Sequence, residues 1–145
     1  MPHSYCRVWI HAIWATKNRA PFISSDIEQY IHNYILDELA SHKCYPKIIN
    51  GMPDHLHTLF LLNPKFALAN IMKQMKGTSS EYINQNNLTS DRFSWQIGYC
   101  AYSVSESMVN RVFNYILRQK EHHQRKDFNT EFDEFIRKHG FQEEQ

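Results

Sequence analysis

The sequence is poor in the features that mark secreted or membrane-embedded proteins. It has only three cysteines, and Cys6, Cys44 and Cys100 lie far apart, so they fit neither a disulfide framework nor the spacing of a zinc site. No apolar stretch approaches the length of a membrane span, and residues 1–4 do not resemble a signal peptide. We therefore expect reduced thiols, a cytoplasmic location and no membrane partner.

The chain also has almost no net charge, but its charges are unevenly distributed. The formal net charge is +1, whereas residues 127–145 carry −4 and residues 1–126 carry +5. Residues 111–126 hold five basic side chains and one acidic one. A positive segment of this kind suits a polyanionic ligand. A solvated helix face followed by an acidic tail would show the same distribution.

Internal repeats and low-complexity segments are absent, and 145 residues with 42% hydrophobic content are enough for one domain with its own core. Apolar spacing predicts strands over 7–15, 47–50, 55–62 and 95–103, and helices over 26–42, 64–82, 105–124 and 128–139. Ser105 would be the N-cap of the third helix. This order predicts an α+β, ferredoxin-like (RRM-like) fold: an antiparallel sheet with two helices on one face, followed by C-terminal helices.

The most informative motif is His55-Leu56-His57, which follows a turn over 51–54. Because side chains alternate along a strand, both histidines face one side while Leu56 faces the core. Two adjacent imidazoles pack poorly and are good metal ligands. The longer motifs of metallo-β-lactamases, two-histidine phosphoesterases and zincins are absent, so a third ligand would come from elsewhere. A chance pair of surface residues is the alternative, since the chain has nine histidines.

The third predicted helix supplies a second reactive group. At 100° per residue, its apolar side consists of Met108, Val109, Val112, Phe113, Ile116 and Leu117. The adjacent stripe consists of Arg111, Tyr115, Gln119, His122 and His123. Taken alone, Tyr115 would be a boundary residue with a packed ring and a wet hydroxyl. Together with the histidine pair, it suggests a tyrosine that attacks a phosphodiester polarised by a metal.

Several further segments accompany these two motifs. They are Pro53-Asp54, the tyrosine segment 115–123, the N-terminal segment 14–21, the helix segment 76–80, and Trp95 with Gly98-Tyr99. In this combination the chain resembles the single-tyrosine HUH transposases of small insertion sequences. These are the IS200/IS605-like transposases, including the REP-associated tyrosine transposases of repetitive extragenic palindromes. "HUH" denotes two histidines around a hydrophobic residue. The resemblance covers residues 5–128 of a single domain, 1–145, and leaves an acidic helix and tail over 128–145.

The resemblance implies a role for each site residue. Tyr115 would attack the DNA, retain a 5′-phosphotyrosine link and release a 3′-hydroxyl. His55, His57 and Gln119 would bind Mg²⁺ or Mn²⁺, and His122 and His123 would support the site. Two imidazoles and an amide oxygen are less suited to magnesium than an all-oxygen set, which favours manganese in vitro.

The resemblance also implies a partner and an assembly. The substrate would be single-stranded DNA with a hairpin at the element ends, and no ATP-binding glycine-rich loop is present to drive duplex melting. The candidate phosphate-binding side chains are Lys17, Arg19, Lys73, Lys76 and Arg92. Trp9 and Trp14 are expected in the core. The enzyme would be a homodimer whose active sites are shared between chains.

Two alternatives remain at this point. One is a domesticated REP-associated tyrosine transposase that nicks palindromic repeats without mobilising its own gene. The other is a non-catalytic nucleic-acid-binding domain of ferredoxin-like fold. The second alternative needs neither the paired histidines nor a tyrosine followed four residues later by a glutamine.

Overall fold

A computed structural model describes residues 3–122 together with Thr130, Asp133, Glu134 and Arg137. Its strands are β1 (Trp9–Ala15), β2 (Pro46–Met52), β3 (His55–Leu61) and β4 (Cys100–Val104). Its helices are α1 (Glu28–Ser41), α2 (Leu68–Gln85), α3 (Val109–Leu117) and α4 (Gln119–His122), with 3₁₀ turns at Lys17–Arg19 and Glu106–Met108. Apart from the four positions named, the predicted helix 128–139 and the acidic tail lie outside the described residues.

The four strands form one antiparallel sheet in the order β2-β3-β1-β4. With α1 between β1 and β2, and α2 between β3 and β4, this is the predicted ferredoxin-like α+β arrangement. The two central strands, β1 and β3, are buried at six of their seven positions. Both faces of the sheet centre are therefore covered.

The first face of the sheet packs against α1 and α2. Its central side chains include Trp14, Leu56 and Phe60, which meet buried helix residues such as Ile35 and Met72. Leu56 thus faces the main core, as its place between the two histidines predicts. Trp95 also lies in this core, and its indole donates to Ser79 Oγ at 2.9 Å.

The opposite face is covered by α3. Trp9, Leu59 and Val104 of the sheet contact Val109 and Ile116 of the helix. The predicted core positions of Trp9 and Trp14 are both confirmed, and alternation along β1 places them on opposite faces.

Glu106 ties the start of the tyrosine-bearing segment to β1. Its carboxylate accepts from Arg7 Nη2 at 3.0 Å and from Trp9 Nε1 at 2.6 Å. These hydrogen bonds hold the pKa of Glu106 below its usual range. Ser105, the predicted N-cap, makes no side-chain capping bond, because a 3₁₀ turn precedes α3 and Ser105 O accepts from Met108 N at 2.9 Å.

The prediction that the second helix begins at residue 64 is wrong. It begins at Leu68, because Asn63 holds the preceding residues in a turn. Asn63 Oδ1 accepts from Lys65 N at 3.1 Å, and Asn63 O accepts from Phe66 N at 3.0 Å.

The fourth strand is also shorter than predicted, since it begins at Cys100 and not at residue 95. Trp95 makes only an isolated bridge to Thr16. Between them the chain forms a loop in which Lys76 Nζ donates to the carbonyls of Gln96 and Gly98, each at 2.7 Å, and Gly98 has a φ of +90°. That φ is incompatible with continuous strand pairing.

The predicted continuous helix over 105–124 is interrupted at Arg118. Asn50 Nδ2, from β2, donates to the carbonyls of Ile116 at 3.0 Å and Leu117 at 3.1 Å. In an unbroken helix these carbonyls would accept the backbone N–H groups four residues later. The side-chain amide takes their place, and a separate short helix, α4, begins at Gln119.

We expect acid to destabilise the fold through His32 on α1. Burial lowers the pKa of His32 to about 4, although the Glu28 carboxylate acts in the opposite direction. The unfolded histidine binds its proton near pH 6.5, so stability present at neutral pH is lost as the pH falls from about 6.5 towards 4. At about 1.4 kcal/mol per pKa unit, the loss approaches roughly 3 kcal/mol.

Urea unfolding at pH 7.0 and pH 4.5 measures this loss. His32→Leu should lose clearly less stability than the wild type over the same interval, whereas the exposed His3→Leu should behave as the wild type does. Equal losses in all three proteins would show that His32 does not remain neutral in the folded state.

Candidate functional site

The hairpin of β2 and β3 positions the histidine pair. Met52 lies opposite His55 and Asn50 opposite His57, so the site side chains share the face that α3 covers. Both histidines are completely buried. Gly51 allows the close approach of the two strands, since a Cβ there would lie 2.2 Å from His55 O. Because the strands can approach so closely at Gly51, β2 continues to Met52, two residues beyond its predicted end at residue 50.

A carboxylate orients His55. His55 Nδ1 lies 2.8 Å from Asp54 Oδ1. The backbone oxygen of Asp54 accepts from Thr16 N at 2.9 Å, which ties the hairpin turn to the end of β1. A hydrogen bond at Nδ1 fixes the ring and makes Nε2 the nitrogen that could bind a metal.

A third histidine, which the sequence reasoning missed, orients His57. His11 is completely buried on β1, and its Nε2 lies 2.9 Å from His57 Nδ1. On its other side, His11 Nδ1 hydrogen bonds to the hydroxyl of Tyr102 on β4. The sequence offered one sign of this role. His11 is the single polar residue of the apolar strand β1, and by alternation it shares a face with Trp9 and Ile13.

Tyr115 lies against this cluster. Its ring centroid is 5.8 Å from that of His57 and 6.3 Å from that of His11, with both ring pairs edge-on. The ring is half-buried beside the α3 cluster. The described chain thus brings the predicted tyrosine and the predicted histidine pair together.

Gln119 follows the helix break and is completely buried. Its Nε2 is 3.5 Å from the backbone oxygen of Tyr115. Gln119 thus lies one helical turn beyond the tyrosine, and its role as the third metal ligand stays a prediction. The backbone of His122 belongs to α4, whereas His123 lies outside the described residues.

Polar contacts fasten the tyrosine-bearing segment to its own chain. Lys120 Nζ donates to the Glu28 carboxylate, to Gly51 O and, at 3.3 Å, to Asn50 Oδ1. With the bonds from the Asn50 amide to the end of α3, they hold the segment over β2. The described chain by itself thus places this segment over its own histidine pair. A homodimer, and the sharing of active sites between its chains, stay predictions that mixed assemblies of two variants can test.

The five predicted DNA-binding side chains differ in their surroundings. Lys17, Arg19, Lys73 and Arg92 are exposed. Lys76 is half-buried, burial lowers its pKa, and its ammonium holds the loop carbonyls already described. Lys73 and Lys76 line a groove of about 490 Å³ that also includes Tyr99. A role in DNA binding stays a prediction for all five.

Within the described part of the chain, no three His, Cys, Asp or Glu side chains lie close enough together to hold a metal. Among these described residues, a third ligand for a metal at His55 and His57 would be of another type, and Gln119 stays the predicted one. No helix among the described residues is long and apolar enough to cross a membrane. The three cysteines are free, and burial raises the pKa of the Cys44 and Cys100 thiols.

Comparison with known proteins identifies the family. Residues 4–119, most of the chain, match the family model described as Transposase IS200 like. The chain belongs to the IS200-like transposase family. It is similar to the ISDra2 transposase TnpA of Deinococcus radiodurans, with 25% identity over an alignment of 116 residues that covers 77% of this chain and 83% of the relative.

Two solved structures share the fold of this IS200-like transposase. One is a Deinococcus radiodurans protein provisionally assigned as a transposase, with a TM-score of 0.63 and 22% identity over 82% of this chain and 95% of that one. The other is a REP-associated tyrosine transposase bound to a REP hairpin, with a TM-score of 0.61 and 13% identity. That match covers 85% of this chain and 73% of the other.

We predict that Gly51→Ala disrupts the hairpin that carries the histidines. The new methyl group would meet backbone atoms of β3, which cannot move aside as a side chain can. Such overpacking costs about 1–3 kcal/mol or more. Gly77→Ala is the matched control, because nothing lies within 4 Å of its Cβ and alanine favours the interior of α2 by about 0.5–1 kcal/mol.

Thermal or urea unfolding of both variants checks this prediction. We expect Gly51→Ala to be less stable than the wild type and Gly77→Ala to be equally or more stable. A Gly51→Ala protein of wild-type stability would contradict the close approach of the strands.

Proposed function

We propose that this IS200-like transposase is a metal-dependent enzyme that cleaves and rejoins single-stranded DNA at hairpin-marked element ends. The observation that supports this most strongly is the position of Tyr115, whose ring lies edge-on to His57 beside a completely buried histidine pair. A tyrosine hydroxyl beside two candidate metal ligands suits cleavage of a phosphodiester by covalent catalysis.

The residues present fit a divalent metal. Each histidine of the pair has a hydrogen-bonding partner at Nδ1, Asp54 for His55 and His11 for His57. Metal-binding histidines commonly have such a partner at the nitrogen that does not bind the metal. His55, His57 and the Gln119 amide oxygen would hold Mg²⁺ or Mn²⁺. When bound, the metal would supply Lewis-acid polarisation of the scissile phosphate.

Tyr115 would perform the covalent step. Its oxygen attacks phosphorus and loses its proton to solvent, so that a tyrosine–phosphorus bond forms while the bond from phosphorus to the 3′-oxygen breaks. The leaving 3′-oxygen takes up a proton, and the 5′-phosphate stays on the tyrosine. Because the phosphodiester bond energy is retained, a second 3′-hydroxyl can attack the adduct and rejoin strands without ATP.

Single-stranded DNA with a hairpin is the proposed substrate. The similarity to a REP-associated tyrosine transposase bound to a REP hairpin supports this choice. The exposed Lys17, Arg19, Lys73 and Arg92 are proposed to contact phosphates, whose attraction for Lys and Arg is independent of sequence. We also propose a cytoplasmic location, which suits the three free thiols.

A domesticated REP-associated enzyme that nicks palindromic repeats is the second candidate. The same similarity to the REP-bound relative favours it. The DNA around the gene separates the two candidates: flanking terminal palindromes fit a mobile element, and dispersed palindromes elsewhere fit domestication. A purely nucleic-acid-binding role gives no reason for burying two adjacent histidines beside Tyr115.

Tyr115→Phe tests the proposed nucleophile. It removes one hydroxyl, so the fold and hairpin binding should persist. With Mn²⁺ and a single-stranded hairpin substrate, the wild type should form a covalent protein–DNA band on a denaturing gel, and Tyr115→Phe should form none. Tyr99→Phe should retain the band, and excess EDTA should remove it from the wild type. An adduct on Tyr115→Phe would show that another tyrosine attacks, and full activity in EDTA would exclude the metal.

The position of Tyr115 over its own chain's His57 leads to a prediction about mixed assemblies. In any heterodimer of Tyr115→Phe and His57→Ala chains, every site should lack one group, and cleavage should stay absent. Recovery of activity in isolated heterodimers would show that chains exchange their tyrosine segments. Mixing wild-type and Tyr115→Phe chains, which should keep activity, is the control for assembly.

A further inference from the structure

The site contains a row of three hydrogen-bonded side chains that extends from the buried His57 and His11 to the half-buried Tyr102. His57 on β3, His11 on β1 and Tyr102 on β4 follow one another across three neighbouring strands. His11 Nε2 is 2.9 Å from His57 Nδ1, and His11 Nδ1 hydrogen bonds to the Tyr102 hydroxyl. The ring centroid of His11 is 5.2 Å from that of His57 and 4.7 Å from that of Tyr102. His11 is 0% exposed, so neither of these bonds is replaced by bulk water.

The direction of these two hydrogen bonds is coupled to metal binding at His57. A neutral histidine carries one ring proton, so His57 can bind a metal through Nε2 only when its proton is on Nδ1. It then donates to His11 Nε2, which must accept. His11 therefore carries its own proton on Nδ1 and donates to the Tyr102 oxygen. The opposite direction would place the His57 proton on Nε2, where it would block the metal.

We propose that His11 is a positioning residue that holds His57 in the metal-binding tautomer, and that Tyr102 holds His11 in turn. The proposal rests on the proposed metal-binding role of His57. His55 is oriented in a different way. Its partner at Nδ1 is the carboxylate of Asp54, and an ionised carboxylate can only accept a hydrogen bond from that nitrogen. The imidazole of His11 and the hydroxyl of Tyr102 can each donate or accept. Only the direction in which His57 donates to His11, and His11 donates to Tyr102, leaves His57 Nε2 for a metal, so the metal-binding tautomer needs both residues as acceptors.

The proposal differs from a packing role for His11 in what it expects of substitutions. A packing role needs volume and one satisfied polar group anywhere on the side chain. A positioning role needs an acceptor at the place of Nε2. Glutamine extends its amide to about that place and can still accept from His57, whereas the shorter asparagine places its amide near Nδ1 and reaches only Tyr102.

Calorimetric titration of the metal-free protein with Mn²⁺ tests the proposal without relying on activity. His11→Asn should bind Mn²⁺ about 10–100-fold more weakly than the wild type, as expected when the outer partner of a ligand is lost. His11→Gln should stay within about fivefold of the wild type. The exposed His3→Asn is the control and should be unchanged. Asparagine and glutamine variants with equal Mn²⁺ affinity would overturn the proposal.

Two further variants keep the test decisive. If the His11 variants fail to fold, Tyr102→Phe takes their place, because it loses only a hydroxyl. It should weaken Mn²⁺ binding by about threefold or more. A Tyr102→Phe protein with the Mn²⁺ affinity of the wild type would overturn the proposal. His57→Ala separates a failure of the proposed metal site from a failure of the proposed role of His11. Wild-type Mn²⁺ affinity in His57→Ala would refute the metal site itself. Lost affinity in His57→Ala with full affinity in His11→Asn would refute only the role of His11.

Discussion

The centre of the sheet has no solvent-facing side, and the rest of the molecule depends on this constraint. Helices α1 and α2 cover one face and α3 the other, so every polar side chain on β1 or β3 is buried. Burying a polar group without a partner costs free energy, and a neighbouring strand is the nearest source of a partner. The bonds between His57, His11 and Tyr102 follow from this constraint.

The segment that carries Tyr115 combines apolar and polar anchoring. Val109 and Ile116 of α3 bury an apolar face against the sheet. Asn50 and Lys120 then supply directional bonds at one end. Because Asn50 also lies opposite His57, one strand position connects the histidine pair with the helix that carries Tyr115.

Local patterns in the sequence were sufficient to predict much of this arrangement. Alternation placed Leu56 in the core and its two histidine neighbours on the other face, and helical spacing placed Tyr115 at the edge of an apolar side. What the sequence did not reveal depends on distant contacts. The break at Arg118 needs the amide of Asn50, which donates to the carbonyl of Ile116, 66 residues later. The late start of β4 needs the Lys76 ammonium. His11 was missed because its partners come from two other strands.

The close approach at Gly51 also limits how the hairpin can pair while the chain folds. Along a strand, a slip of one residue turns every side chain to the opposite face. In β3 such a slip would turn both histidines towards α1 and α2 and would turn Leu56 towards Tyr115. Only a residue without a Cβ fits opposite Leu56, so a slipped pairing would bring a bulkier neighbour, Asn50 or Met52, against the β3 backbone. Gly51 thus helps to fix the register of the hairpin, and it favours the single strand alignment in which the histidine pair faces the tyrosine.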